Sequence, residues 1–290
     1  MTLNETIQRF AESELCCMGI AHNTLALLRE KDGISVWQIK SENNSYVMKC
    51  FDKPEHRREI LNYQVLINLD VPTLKVIAHT DYSIVLSDIE QSEYRLGTAE
   101  DMNDPKIAKL LATWYKTLHE NGRKYTGIHL LYDECDFLTL ENIFKIKENT
   151  KTDDLHVWEV IEENFNMLKS SVMKLPRTLT YNDFYYTNLA VARDNSSALL
   201  YDYNLLGKGY VYSDIRNVCS SIGEDAKTAF LSAYGELSKQ EKDIDDVVSP
   251  LINLHFACQH DNFPSWAMES LEQVKDGRLL KAVLDLLENM

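Results

Sequence analysis

Asn182-Asp183-Phe184-Tyr185-Tyr186-Thr187-Asn188 leads into Leu189 to Arg193, then Asp194-Asn195-Ser196-Ser197, then Ala198 to Asp202, and the reading of the fold turns on this stretch. Two apolar five-residue runs flank four polar turn residues, the pattern of a β-hairpin with a longer loop. Pairing Arg193 with Ala198 sets Leu189 opposite Asp202. Asp202 then falls one residue from Asn188 across the ladder, on the order of 5 Å away at the backbone. An amide oxygen and a carboxylate at one end of a sheet are two hard oxygen ligands, and Mg²⁺ takes a few of these beside phosphate oxygens. Asp183 precedes Asn188 by five positions, on the loop into the hairpin. Composition alone would give about one Asp-x-x-x-x-Asn pair in a chain of this size, and this is the single one present. The spacing therefore decides nothing by itself. What raises it above a structural turn rich in Asp and Asn is the hairpin that brings Asp202 back to the same place.

Outward toward the N-terminus, Thr24 to Arg29, Val36 to Lys40 and Ser45 to Phe51 are short β-rich runs, separated by Lys31-Asp32-Gly33 and Ser41-Glu42-Asn43-Asn44. They predict an antiparallel three-strand meander. Pro54 opens a helix with Ile60, Tyr63, Leu66, Ile67 and Leu69 as its apolar stripe. Strands near Thr73 to His79 and Ser83 to Leu86 follow, and Ser87-Asp88-Ile89 ends the last. Lys49 is the one charged residue in the run Tyr46 to Phe51, where a lysine is either edge-facing or held for an anion. Glu59 on the next helix is a candidate partner, and Glu55 competes for that role. The bland reading is a surface lysine and a solvated helix face.

Beyond residue 89 the pattern is mainly helical. Asp104-Pro105 caps a helix whose apolar face includes Ile107, Leu111, Trp114, Tyr115 and Leu118, closed by Asn121-Gly122. A second long helix is expected from about Asp154 to Lys174, with Trp158, Ile161, Phe165, Leu168 and Val172 inward and Pro176 stopping it.

Bulk properties exclude several classes. The 290 residues are 44% hydrophobic, enough for a full core, with no repeat or low-complexity tract. The net charge of −15 repels nucleic acid and anionic membranes and suits a cationic substrate. The N-terminus lacks a basic leader, and no apolar run approaches the roughly 18 residues that span a bilayer. A cytoplasmic protein is expected, with no nucleic-acid or membrane partner. Its six cysteines, without C-x-x-C spacing, are expected to be reduced and mostly buried. His255, Cys258 and His260 lack a fourth ligand and read as helix packing rather than a metal site.

The order Lys49, Glu59, Asp183/Asn188, Asp202 resembles the aminoglycoside-phosphotransferase-like kinases. So do Leu86-Ser87-Asp88-Ile89 as a hinge, Trp114-Tyr115-x-x-Leu118-His119 on a long helix, and Ser213-Asp214-Ile215-Arg216 after the hairpin. The similarity runs from about Thr24 to the helical tail; each motif is weak, and their order is the specific feature. The resemblance implies an α+β, protein-kinase-like two-lobed fold. Residues 1–89 would form a nucleotide-binding lobe of five antiparallel strands and a helix, and residues 90–290 a larger helical lobe with the catalytic loop and substrate pocket. It further implies an ATP- or GTP-dependent phosphotransferase that phosphorylates a hydroxyl of a small molecule: an aminoglycoside first, or another amino alcohol or sugar. Lys49 would contact the nucleotide phosphates and Glu59 orient it. Asp183 would be the base, and Asn188 and Asp202 would hold Mg²⁺. The backbone of Ser87, Asp88 and Ile89 would meet the adenine edge, and the loop from Asp32 to Ser35 would cover the phosphates. Asp214 would bond the catalytic loop's backbone.

Three departures from the family's pattern stand out. Tyr181-Asn182 occupies the place of its usual His-Gly, Tyr203-Asn204 follows Asp202 in place of Phe-Gly, and the phosphate loop has only Gly33. The protein-kinase signatures His-Arg-Asp, Asp-Phe-Gly and Ala-Pro-Glu are missing. The rival reading from another class is a non-catalytic nucleotide-binding or scaffold protein on the same fold. A metal-dependent hydrolase built on Asp183 and Asp202 lacks nearby His ligands. Asp133, Glu134, Asp136, Asp243, Asp245 and Asp246 are candidates for a cationic substrate, with solvated surface as the more common fate.

Overall fold

The computed structural model describes residues 3–42 and 44–290. In chain order its elements are α1 (Leu3–Cys17), β1 (Thr24–Lys31), β2 (Ile34–Lys40), β3 (Ser45–Phe51), α2 (Arg58–Asn68), β4 (Val76–His79), β5 (Ser83–Ser87), β6 (Tyr94–Leu96) and α3 (Pro105–Gly122). Then come α4 (Leu140–Thr150), α5 (His156–Met173), β7 (Thr178–Thr180), β8 (Leu189–Ala192), β9 (Ala198–Leu200) and β10 (Gly207–Gly209). Helices α6 (Val211–Ser221), α7 (Glu224–Tyr234), α8 (Lys239–Ala257), α9 (Met268–Lys275) and α10 (Arg278–Glu288) complete the chain. The fold class is α+β, as expected.

By packing, the chain forms two compact units, one of residues 1–125, 183–206 and 218–234, the other of 126–182, 207–217 and 235–290. Packing and chain order thus divide the molecule differently: segment 1–89 lies wholly inside the first unit, together with the hairpin that follows Asp183.

In the first unit the strands form an antiparallel sheet in the order β1-β2-β3-β5-β4. Alternation decides its faces. Trp37, Ile39, Met48 and Cys50 turn to one side, where they bury against Ala11 and Leu15 of α1. That helix is absent from the sequence expectations; its signal is the short stripe Ile7, Ala11, Glu14, Leu15 at helical spacing. Glu14 is buried and accepts hydrogen bonds from Ser83 Oγ (2.7 Å) and Thr80 Oγ1 in the turn between β4 and β5. On α2, Ile60, Tyr63 and Leu66 are buried as expected, but Ile67 is 47% exposed and Leu69 lies just past the last turn. Ile67 follows Leu66 by one residue, about 100° around a helix, so it cannot share the buried face. A smaller sheet in the order β6-β8-β9 carries the hairpin, and α3 packs against α7. Helix α3 begins as predicted, with the Asp104 carboxylate accepting from Lys106 N at 2.7 Å.

The second unit is a helical core of α4, α5, α8, α9 and α10 with the two-stranded sheet β10-β7. The inward residues predicted for α5 are all in that core. Among the described residues no helix is long and apolar enough to cross a membrane. The cysteines are unpaired: Cys50 and Cys135 are buried, Cys219 and Cys258 partly so, while Cys16 and Cys17 at the end of α1 are exposed, against expectation.

Candidate active site

Lys49 sits on β3 with its side chain on the face of the sheet opposite Met48 and Cys50, as pleating requires. Its Nζ donates to both carboxylate oxygens of Glu59 at 2.7 Å and to Asp202 Oδ1 at 2.8 Å. The Glu59 side chain is fully buried and that of Lys49 is 11% exposed. Burial works against the lysine's charge, but the two carboxylates outweigh it and hold its pKa above the ordinary lysine value. The rival Glu55 lies exposed in the short 3-10 turn Pro54–His56. Helix α2 is clipped to the segment after Asp202: Arg58 Nε donates to Asn204 O at 2.6 Å, and Asn62 Nδ2 to Tyr203 O at 2.7 Å. Tyr203, fully buried, packs edge-on against Tyr63 at 4.7 Å. These contacts fix Glu59 and Asp202 around a single ammonium group.

Asn188 Nδ2 donates to Asp183 Oδ2 at 3.1 Å, so the two ends of the Asp-x-x-x-x-Asn run meet. The hairpin register differs from the one expected. Val191, not Arg193, stands opposite Ala198, and Leu189 stands opposite Leu200. Arg193 is drawn out of the hairpin because its N–H donates to Glu93 O at 2.8 Å and its guanidinium to the carbonyls of Ser92 and Glu90. A two-residue slip preserves the side-chain faces. Asp202 is still one residue from Asn188, whose carbonyl now accepts from Tyr201 N at 3.0 Å. Asp202 itself has φ +64°, a left-handed conformation that Asp tolerates better than most residues. Gly97 lets β6 approach this loop: a Cβ there would stand 2.7 Å from Tyr186 O.

Burial, then the charge of Asp202, pushes the Asp183 carboxyl up to about 6, against the pull of Asn188 and Lys49. In the nucleotide-free protein, an NMR titration of Asp183 is expected to centre near 6. Asp202→Asn removes a like charge and lowers that midpoint toward the ordinary aspartate range; an unmoved midpoint contradicts the coupling.

Lys49, Glu59, Asn188 and Asp202 line one cavity of about 520 Å³, with Ser87, Asp88 and Ile89 along another wall. Apolar side chains of Val36, Val47, Leu74, Leu86 and Leu96 complete it, a lining suited to a flat heteroaromatic ring. The Asp88 carboxylate is buried and tied down by Ser45 Oγ (2.5 Å), Gln38 Nε2 (3.3 Å) and Glu90 N (3.0 Å). Ser35 is not brought to this group. It lies in β2 with its hydroxyl on the opposite face, accepting from Trp37 Nε1 at 2.9 Å, because it is adjacent to the cavity residue Val36. Sequence reasoning passed over Gln38 and Arg29, which line the cavity, and the exposed Tyr185, whose ring lies 4.6 Å from that of Tyr186. The two tyrosines stand inside the quoted motif, where attention to spacing alone leaves them unread.

No family model matches the chain, and no curated relative matches its sequence. Solved structures do. Choline kinase LicA from Streptococcus pneumoniae superposes with a TM-score of 0.66 at 14% identity, covering 97% of this chain and 99% of that one. The ethanolamine kinase of Plasmodium vivax gives 0.60 at 12% identity, over 89% and 84% of the two chains. Spectinomycin phosphotransferase APH(9)-Ia, solved with ADP and spectinomycin, gives 0.58 at 14% identity, over 96% and 97%. The chain has the protein-kinase-like fold of these small-molecule phosphotransferases. The resemblance read from the sequence thus holds at the level of fold.

Within this kinase-like fold the unusual Tyr181-Asn182 pair is accommodated. Asn182 has φ +66°, a left-handed conformation that asparagine tolerates better than most residues, and Tyr181 is fully buried. Asp214, also fully buried, accepts from Tyr181 N at 2.8 Å and Asn182 N at 3.0 Å, the structural role expected of it. Asp214→Ala would strand those donors, and a loss of about 2–3 kcal/mol in a denaturant titration is expected; a loss under about 0.5 kcal/mol would show that the loop is held otherwise. The acidic residues considered for a cationic substrate are mostly engaged. Asp245 bonds Arg216 Nε (2.8 Å) and Tyr210, Asp133 lies near Arg177 and Lys208, and Asp243 and Asp246 pair with Lys239 and Lys242. Glu134 differs: burial raises its carboxyl to about 7 despite the nearby Arg216. Among the described residues no cluster of three or more His, Cys, Asp or Glu forms a metal cage.

Proposed function

We propose that the protein transfers the γ-phosphoryl group of ATP or GTP to a hydroxyl of a small molecule. The observation that carries this reading is the Lys49 ammonium held at once by Glu59 and Asp202, with Asp183 hydrogen-bonded to Asn188 in the same unit. A lysine held by two carboxylates at the wall of a large cavity supports the reading of a cation oriented for a ligand.

The base of the nucleotide would lie between the apolar walls and against the backbone of Ser87 to Ile89. Lys49, fixed by Glu59, would meet the inner phosphates. Asp183 would hold the acceptor hydroxyl in line and take its proton late, as a loose transition state allows. Asn188 and Asp202 fit Mg²⁺ by donor chemistry: two hard oxygen donors, few enough to leave room for phosphate and water. Their amide and carboxylate oxygens would hold it, Asn188 having turned its Nδ2 toward Asp183. Bound there, Mg²⁺ supplies charge neutralisation at the phosphate oxygens. An amino alcohol or aminoglycoside acceptor suits the net charge of −15 and the paired rings of Tyr185 and Tyr186, two and three residues after Asp183.

The test is coupled ADP release, confirmed by ³¹P NMR of the product, across choline-like and ethanolamine-like amino alcohols, aminoglycosides and sugars, with each nucleotide. Acceptor-dependent release with a phosphorylated product is expected from at least one class. Nucleotide binding without release from any acceptor would favour the binding-protein reading, and no nucleotide binding would end both.

A further inference from the structure

The hairpin of β1 and β2 contains an irregularity whose consequence is chemical. Thr24 to Leu27 pair with Lys40 back to Trp37, but the register then shifts so that Arg29, rather than Leu28, stands opposite Val36. In an unbroken ladder Arg29 would face Ser35, whose side chain belongs to the other side of the sheet, with Cys50 and α1. The inserted residue turns the arginine over. Arg29, Val36 and Lys49 now form one cross-strand row, since Val36 is also the partner of Lys49. Adjacent strands are about 4.8 Å apart, so the backbones of Arg29 and Lys49 are roughly 10 Å apart on the same face. Both residues line the 520 Å³ cavity.

Resting on the nucleotide reading above, we propose that Arg29 is a second phosphate-binding cation, placed by the bulge to take the nucleotide's outer phosphates from the roof of the cavity. Bulges commonly re-aim a side chain beside a functional site. Charge supports the assignment. The acidic and basic side chains lining the cavity, its two tyrosines aside, are Arg29, Lys49, Glu59, Asp88, Glu90 and Asp202, so carboxylates outnumber cations. Lys49 is already matched by two of them. Arg29 has no hydrogen-bond or ion-pair partner among the described residues, and its planar fork suits phosphate oxygens.

The turn itself points the same way. Asp32 (φ +55°) and Gly33 (φ +85°) form a tight two-residue connection between paired Lys31 and Ile34. Gly33 O accepts from Asp52 N at 2.9 Å, and a Cβ on Gly33 would come within 3.3 Å of Lys53. A short turn held down in this way is not a loose glycine-rich loop whose amides wrap phosphates. The resemblance gave residues 32–35 the work of covering them as a loop; on the present proposal a side chain takes a share of that work.

Calorimetry of the full chain with Mg²⁺ and ATP, ADP, AMP or adenosine tests the assignment. Arg29→Gln is expected to weaken ATP roughly tenfold, ADP less, and adenosine not at all, with Arg29→Lys recovering part of the loss. It should also flatten the salt dependence of ATP affinity. Adenosine binding reports that the variant is folded. An unchanged ratio of ATP to adenosine affinity in Arg29→Gln overturns the role of Arg29 and leaves the functional reading standing. If the unaltered protein binds none of the four, the functional reading falls and takes this inference with it.

Discussion

Asp183→Ala is expected to lower turnover by roughly 10²–10⁴-fold while leaving Mg·ATP affinity within about twofold. The reason is the separation of roles in the site. Asp183 is bonded to Asn188, not to Lys49, so its removal leaves the Lys49–Glu59–Asp202 cluster intact. On the proposed function, what goes is the group that would orient the acceptor hydroxyl and receive its proton. Asp183→Asn preserves the shape but cannot take the proton, so it should fall by a similar factor. A variant retaining more than about a tenth of the activity would remove Asp183 from the chemistry. With its carboxyl at about 6, the unaltered enzyme should lose activity as pH falls through that region, because only the ionised form accepts a proton.

Asp202→Ala is expected to abolish the Mg²⁺ dependence of nucleotide binding and to cost at least about a hundredfold in affinity for Mg·ATP, as loss of a charged metal ligand does. Affinity measured without Mg²⁺ should change far less, since Lys49 keeps Glu59. A second effect must be separated from the first. Asp202 has φ +64°, where alanine is strained by about 1–2 kcal/mol, so the variant should also melt lower. Asp202→Asn avoids most of that strain and, keeping a neutral oxygen in place of a charged one, should still weaken the Mg²⁺ dependence. Equal Mg·ATP affinity in Asp202→Asn and the unaltered chain would contradict the metal assignment.

Much of this site was legible in the sequence because its parts obey strong local rules. The apolar run Tyr46 to Phe51 made β3 and gave Lys49 a face; the polar turn between Leu189 and Asp202 made a hairpin. The residues alone left Glu59 and Glu55 open and only the resemblance chose between them; in the structure Glu59 falls on the buried face of α2 and Glu55 is exposed. The two-residue slip of the hairpin came from Arg193, whose partners belong to the segment just before β6, about a hundred residues earlier, and leave no mark on local pattern. Ser35, placed near the phosphates by the resemblance, lies on the other face of β2, because one residue along a strand exchanges the two faces. The bulge at Leu28 reverses that parity once more, and no turn residue announces it. Helix α1 was overlooked because its apolar stripe is narrow and carries the buried acid Glu14.

The most direct test is a crystal structure of the protein with Mg²⁺ and a non-hydrolysable ATP analogue. The account predicts the base against the backbone of residues 87–89, Lys49 Nζ within hydrogen-bond distance of an inner phosphate, and the metal on Asn188 and Asp202. The terminal phosphate should lie toward Asp183. A nucleotide bound elsewhere, or bound here with the side chains of 183, 188 and 202 turned away from its phosphates, would contradict it.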